Sequence, residues 1–426
     1  MARLAINGGT PVRKEKLKEE WPIWDHRDEE ALLKVLHSGD WGGVPGTAVR
    51  EFEPQLAAYC GARRAVCLSS GTAALEAAYQ AVGAEPGDEI IVPAYTFIAT
   101  ASAACIIGAV PVFVDIEPQT LNMDPARAEA AITERTRAIV PVHIGGRPAN
   151  MDAIMAIARR HGLAVVEDAA QAIGAVYKGK KAGSIGDAGT LSFQSSKNLT
   201  AGEGGAVLTN SDDIYLRCYS LINVGRIPKG DWYQHDQIGT NLRMTGLQAA
   251  LLQSQMTRLE EQNRRRRENA AHLISLLKDI EGVTPPPPDD PAGPEGSTGP
   301  EGSAASVSAW HLFAFRYHKE HFGGAPKSAF LKAMNAEGIP LGGGYNPLNR
   351  SGMIRLYFER LAKMGLVKGR HSDPTRAEIP AIERACNEEV VWFSQRCLLG
   401  TKSDMEAVAA AVRKIKENAG ELLAAS

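Results

Sequence analysis

No apolar run in this 426-residue chain is long enough to cross a bilayer. Its first ten residues, MARLAINGGT, lack the apolar core of a secretory leader. A cytoplasmic protein without a membrane partner is the expectation. Cysteine is sparse. Cys60, Cys67, Cys105, Cys218, Cys386 and Cys397 are scattered, with no C-x-x-C pair and no zinc spacing. That pattern argues against a disulfide framework and a structural metal site, and for reduced thiols. His143 and His161 stand too isolated to serve as metal ligands. An excess of one charge sign is also missing. Lys and Arg number 47 against 49 Asp and Glu, a formal net charge of −2. Such a balance provides no basic field for nucleic acid or anionic lipid. The one basic cluster, Arg264–Arg267, falls in a helical pattern and reads as a solvated face. No G-x-G-x-x-G follows the first strand, which argues against a nicotinamide enzyme. There are no internal repeats.

What the chain does have is an alternation of short β-branched runs with helical runs. Ala65–Ser70, Glu89–Ala94, Val110–Ile116, Arg137–Ile144, Leu163–Ala170, Gly189–Gln194 and Gly204–Asn210 read as strands. Helical stretches of about a dozen residues separate the earlier ones. Strands that are apolar throughout are covered on both faces, so the fold class is α/β with a mostly parallel sheet. Ligands gather at the loops that end such strands. Asn241–Leu277 carries one long helical pattern that links to a second domain. Pro285–Ala305, PPPPDDPAGPEGSTGPEGSAA, has little to bury and reads as a mobile loop. Beyond it lie a strand at Ala309–Tyr317 and helices at Lys327–Gly338 and Asp404–Ala419, which make a smaller α+β domain. The expected division is a large domain with its N-terminal segment over 1–265 and a small one over 266–426.

The stretch Leu191–Val207, LSFQSSKNLTAGEGGAV, is the most informative. Lys197 follows a strand in otherwise apolar surroundings, where an ammonium is costly to desolvate. One role that suits it is an imine with an aldehyde cofactor. A pyridoxal 5′-phosphate site needs three groups besides that amine: an acid at the pyridine nitrogen, donors for the phosphate, and a flat group against the ring. Asp168, in VVEDAAQAIGA, ends a buried strand and is the candidate acid, with a helix cap as its other reading. Gln171, three residues on, reaches the ring oxygen or covers the ring face. Gly71, Thr72 and Ala73, in SSGTAAL, join a strand directly to a helix, so their N–H groups face an anion. A plain helix cap is the alternative there too. Ser192 adds a hydroxyl. Phe97, in PAYTFIAT, is the flat group, with Tyr95 as the alternative.

SSGTAAL, PAYTFIAT, EDAAQAIGA, SFQSSKNLTAGEGGAV and GTNLRMTGLQAALL, in this order and spacing, resemble the DegT/DnrJ/EryC1/StrS aminotransferases. The resemblance runs from GGTPVR near Gly8 to the last helix. It implies a fold-type I enzyme that uses pyridoxal phosphate and moves an amino group from glutamine or glutamate to a ketone of a sugar or cyclitol. It implies Lys197 as the Schiff-base lysine and catalytic residue, and Asp168 as the acid at the pyridine nitrogen. Gln171 matches the His/Gln position near the ring. Thr72, Ala73 and Ser192 match phosphate contacts, and Phe97 the stacking aromatic. Asn241 matches a residue that reaches the phosphate of a neighbouring subunit, which implies a homodimer with shared sites. Many members read roughly HYxxPLH near the small-domain strand. Here the text is GGGYNPLNR, with Gly344 and Asn349 at positions that shape the sugar pocket. The PLN form and the LLQSQ helix are similar to the branch acting on inosose-type cyclitols. The same resemblance keeps three other readings open: a 3-amino-5-hydroxybenzoate synthase, a sugar dehydratase (which carries histidine in place of the lysine), and a non-catalytic homologue.

Overall fold

The structure, a computed structural model, describes residues 3–17, 20–42, 46–228, 230–231, 233–289, 306–367 and 369–422. The alternating runs form β1 (Arg64–Leu68), β2 (Glu89–Pro93), β3 (Val110–Val114), β4 (Thr136–Ile139), β5 (Ala164–Asp168), the hairpin strands β6 (Val176–Tyr177) and β7 (Lys180–Lys181), β8 (Ala188–Ser192) and β9 (Gly205–Thr209). Apart from the hairpin they share one seven-stranded sheet, ordered β1-β9-β8-β5-β4-β2-β3. The pairs from β8 to β3 are parallel, and β9 runs antiparallel to both β8 and β1. The strands β1, β2, β5 and β8 therefore point the same way, and their carboxyl ends lie along one edge.

The helices are α1 (His26–Ser38), α2 (Thr47–Cys60), α3 (Gly71–Ala81), α4 (Ala99–Ile106), α5 (Pro125–Ala130), α6 (Met151–His161), α7 (Asp212–Ile222) and the long α8 (Gly246–Leu277). Alternate strand residues go to opposite cores. Val66, Val166 and Val207 pack with Tyr79 of α3 and Cys218 of α7. Cys67, Leu191 and Leu208 pack with Phe52 of α2 and Leu252 of α8. Burial on both sides is why the strands read as unbroken apolar runs rather than as alternating ones. The helix α8 begins at Thr245, whose hydroxyl caps the Gln248 N–H while the Gln248 side chain returns to the Thr245 N–H. Residues 241–243, expected as the start of that helix, instead form single bridges to Asn223 and Leu68.

The smaller sheet, antiparallel, joins β10 (Val283–Thr284), β11 (Leu312–Tyr317) and β12 (Val390–Ser394). The remaining helices are α9 (Lys327–Ala336), α10 (Gly352–Lys363), α11 (Pro380–Arg384) and α12 (Lys402–Glu417). The cores do not follow one cut at residue 265. Leu4 and Leu17 pack with Leu273, Phe330 and Val412 under the small sheet. Ile354, Phe358 and Ile382 return to the core of the large one. A 32-residue helix spans about 48 Å, and α8 uses that length to serve both cores.

The solvated reading of Arg264–Arg267 fails at Arg266, which is fully buried. Leu259, Asn263, Arg266, Ala270, Leu273 and Leu277 fall on one helical stripe, and Arg266 faces inward with them. Its guanidinium donates to Gln395 Oε1 at 2.9 and 2.6 Å and to Asn263 Oδ1 at 2.9 Å, and it lies over the Trp21 ring. Among the described residues no carboxylate balances it, so burial pushes its pKa down to about 9. Arg266→Ala would leave the Gln395 and Asn263 oxygens unpaired beside a cavity, and should lower the unfolding free energy by about 3 kcal/mol, read as a lower denaturant midpoint. Arg264→Ala, which breaks only exposed pairs to Glu261 and Glu268, should leave the midpoint in place.

Most of the expected mobile loop, residues 290–305, lies outside the described residues. Its entry is pinned, since the Asp289 carboxylate accepts from Ser308 N, Ser308 Oγ and Trp310 Nε1 at 3.1, 2.7 and 3.0 Å. Cys60, Cys67, Cys105, Cys218 and Cys386 are thiols outside any disulfide among the described residues. Among the described residues, no helix is long and apolar enough to cross a membrane.

Candidate active site

A cavity of about 520 Å3 opens at the shared carboxyl edge of β1, β2, β5 and β8. It collects the turn Ser70–Thr72 after β1, Phe97 after β2, Asp168 at the end of β5, Gln171, Ser192 at the end of β8, and Lys197. Loops that lie far apart in sequence meet here because parallel strands deliver them to one side.

Strand geometry explains why Asp168 rather than Glu167 faces the cavity. Successive side chains alternate across the sheet. Glu167 points to the other face, where it accepts from Gly183, Ile185 and Gly186 N–H groups at 2.8, 2.7 and 2.7 Å and pairs with His143 Nε2 at 2.8 Å. Its role is to hold a loop. Asp168, 5% exposed, receives among the described residues only the Thr100 hydroxyl at 2.7 Å and the Ala170 N–H at 3.2 Å. A buried carboxylate held by two neutral donors has capacity for a cationic N–H.

Lys197 lines the same cavity, and its Nζ has no hydrogen-bond partner among the described residues. Burial pushes its pKa down to about 8, although the Asp168 charge pulls it upward. Desolvation wins, so about a tenth of the amine is uncharged at pH 7, far more than for a surface lysine. With no aldehyde present, Lys197 should react with an amine-directed reagent at a rate that rises about tenfold per pH unit up to pH 8 and then levels. Mass spectrometry of the Lys197 peptide would follow this, and surface lysines should level only above pH 10.

The turn after β1 is a cradle of main chain. Ser70 caps α3 by accepting from the Ala73 N–H at 3.1 Å, so that donor is already used. The Gly71 and Thr72 N–H groups have no partner among the described residues, and they stand at the positive end of α3. The motif is a helix cap that takes Ala73 out of the expected set of three donors and leaves Gly71 and Thr72 over. Gly71 must be glycine because a Cβ there would lie 2.7 Å from Ser192 Cβ. That approach places the Ser192 hydroxyl beside the free N–H groups.

Phe97, 57% exposed, stands at the cavity, whereas Tyr95 is buried in an aromatic cluster with Tyr345 and Trp392. Gln171 is held at both ends: Oε1 accepts from Gly145 N at 2.7 Å and Nε2 donates to Tyr345 Oη at 2.7 Å. Its amide plane is fixed, and one N–H is left to reach into the cavity. Asn241 is exposed and does not line this chain's own cavity. Gly344 and Asn349 do not line it either. Gly344 has φ +89°, and a Cβ on it would meet Tyr95 Oη at 3.3 Å. Asn349 is buried and donates to Pro374 O at 3.2 Å.

The sequence reading missed four groups. Thr100 orients Asp168, and Tyr345, Trp392 and His311 close the cavity from the small-domain side. Thr100 lies four residues after Thr96 on the helical run, a spacing that carries a weak signal. Tyr345 stands in the GGGYNPLNR segment already singled out for the pocket, whereas Trp392 and His311 come from distant segments that left no signal. Together the site offers an amine, an acid and an anion cradle around a space that admits a flat ring.

The model of the DegT/DnrJ/EryC1/StrS aminotransferase family matches residues 22–390. The chain is 40% identical to the L-glutamine:2-deoxy-scyllo-inosose aminotransferase of Streptomyces paromomycinus, over 97% of each chain. It is 37% identical to the putative L-glutamine:3-amino-2,3-dideoxy-scyllo-inosose aminotransferase of Streptoalloteichus tenebrarius, over 99% of each. Among solved structures, 3-amino-5-hydroxybenzoic acid synthase is similar with a TM-score of 0.83 and 31% identity, over 94% of this chain and 99% of that one. The chain belongs to the DegT/DnrJ/EryC1/StrS aminotransferase family, and it is an aminotransferase.

Proposed function

We propose that the cavity holds pyridoxal 5′-phosphate and that the protein moves the amino group of glutamine to a ring ketone of an inosose-type cyclitol. The observation that carries this reading is the meeting of the Lys197 amine, the Asp168 carboxylate and the free Gly71 and Thr72 N–H groups on one cavity. The residues fit the cofactor. The Gly71 cradle, which a Cβ would fill, suits a phosphate, and Asp168 has capacity for a protonated ring nitrogen. Bound pyridoxal phosphate supplies an electron sink for the carbon that loses its proton.

Lys197 Nζ holds the cofactor and, once displaced, takes the proton from the donor's α-carbon; in the return half it delivers a proton to the former ketone carbon. Phe97 and Gln171 fix the plane in which this happens. Asn241, clear of its own cavity, serves the phosphate of a second copy, so the working unit is a homodimer.

Among the described residues that line the cavity, Lys197 is the only Lys or Arg. A nucleoside diphosphate would call for several more cations. A neutral polyol ketone does not, and the relatives' names supply the inosose class and glutamine as donor. The test is to incubate the purified protein with glutamine and, separately, scyllo-inosose, 2-deoxy-scyllo-inosose and nucleotide-linked keto-sugars, and to weigh the products. Amination confined to the cyclitols supports the reading. Amination of nucleotide sugars alone, or an aromatic product from a cyclic ketone, sinks it.

A further inference from the structure

We propose that His311 is a specificity-determining residue that accepts a hydrogen bond at Nε2 from a ring hydroxyl of the cyclitol ketone. This rests on the function proposed above and names the group that reads the acceptor. His311 precedes β11 and is 6% exposed, and it meets the outside only through the cavity it lines. Its tautomer follows from its neighbour. Asn198 Nδ2 donates to the Ala309 carbonyl at 2.7 Å, so Asn198 Oδ1 is the atom that faces His311 Nδ1 at 3.2 Å. An amide oxygen only accepts, so the ring proton sits on Nδ1 and Nε2 carries the lone pair. Nε2 has no partner among the described residues and is not sealed from the cavity.

The imidazole is also kept uncharged. Burial, reinforced by the nearby Lys197, Arg266 and Arg396 cations, holds its pKa well below the usual histidine value. An uncharged ring with Nδ1 occupied can only accept at Nε2. It therefore suits a hydroxyl and rejects a carboxylate or phosphate oxygen. The backbone accepts strain to place it: Trp310, immediately before, has φ +53°, and its indole N–H is tied to Asp289. Tyr345 and Trp392 line the same cavity together with Gln194, Ser196 and Glu203, and His311 adds to them an acceptor that carries no charge.

The test separates two half-reactions in single-turnover experiments, with glutamine on one side and scyllo-inosose on the other. In His311→Phe, kcat/KM for the cyclitol half should fall at least about tenfold more than for the glutamine half, with the loss mainly in KM. His311→Gln, which keeps an acceptor, should recover part of it. Equal damage to both halves would mean that His311 acts only through Asn198 on Lys197, and it overturns the proposal. A second readout needs no turnover. The 15N resonances of the His311 ring in the isolated protein should show the neutral Nδ1–H tautomer from pH 5.5 to 8, and titration or the other tautomer in that range also overturns it. If the wild type aminates no cyclitol at all, the functional reading fails instead, and the tautomer measurement still reports on the geometry.

Discussion

Lys197→Ala should abolish amino transfer, with turnover reduced by at least about 1,000-fold in both half-reactions, because one amine is both the point of attachment and the proton carrier. The cavity and the Gly71 cradle survive this change, so the variant should still take up the cofactor, but without a covalent link. Borohydride reduction followed by peptide mapping would read this directly, with the cofactor fixed to the Lys197 peptide in the wild type and to no peptide in the variant. Turnover within tenfold of the wild type would refute the assignment. Lys197 stands in a cavity wall where desolvation outweighs the Asp168 charge, and among the described residues no other lysine lines that cavity. A surface lysine could not replace it, because its amine would remain charged until about pH 10.

Asp168→Asn is the second large effect. The amide has nearly the shape of the carboxylate and can keep the Thr100 hydroxyl bond. It cannot balance a cation. Removing one charge from a buried ion pair costs about 3 to 5 kcal/mol, or on the order of 100- to 1,000-fold or more. That loss should appear in cofactor affinity and in the rate of proton removal from the donor's α-carbon, measured by loss of deuterium from α-deuterated glutamine. Glu167→Gln should act differently, since Glu167 faces the opposite side of the sheet and holds Gly183–Gly186. Its effect should appear in thermal stability before catalysis. If the two variants behave alike, the alternation of β5 does not assign them separate roles.

The parallel sheet, its strands and the long helix were legible because burial on both faces imposes continuous β-branched runs, and because caps such as Thr245–Gln248 are local. The large-domain half of the site was legible for the same reason. Each of its groups ends a strand or follows one by a few residues, and a strand end is visible in sequence. Tyr345 was in view only as part of GGGYNPLNR, without a contact assigned to it. His311 and Trp392 were not legible, because they reach the cavity at the start of β11 and within β12 of a second sheet, which is a tertiary fact with no local trace. Arg266 was misread because composition marks a run of four arginines as polar, whereas the phase of the helix decides which one turns inward. A long-range contact was equally invisible: apolar side chains at Leu4 and Leu17 find their partners under the C-terminal sheet, more than 250 residues away.

The contact between Gly71 and Ser192 has a mechanical corollary. Ser192 stands opposite Gly205 across β8 and β9, and a Cβ at Gly205 would collide with Ser70 O at 2.3 Å. Three strands are thus interlocked with no spacer between them. The span from the anion seat to the backbone that carries Lys197 is ruled by ladder register and by one short link from 192 to 197, and a single methyl at either glycine would stretch it.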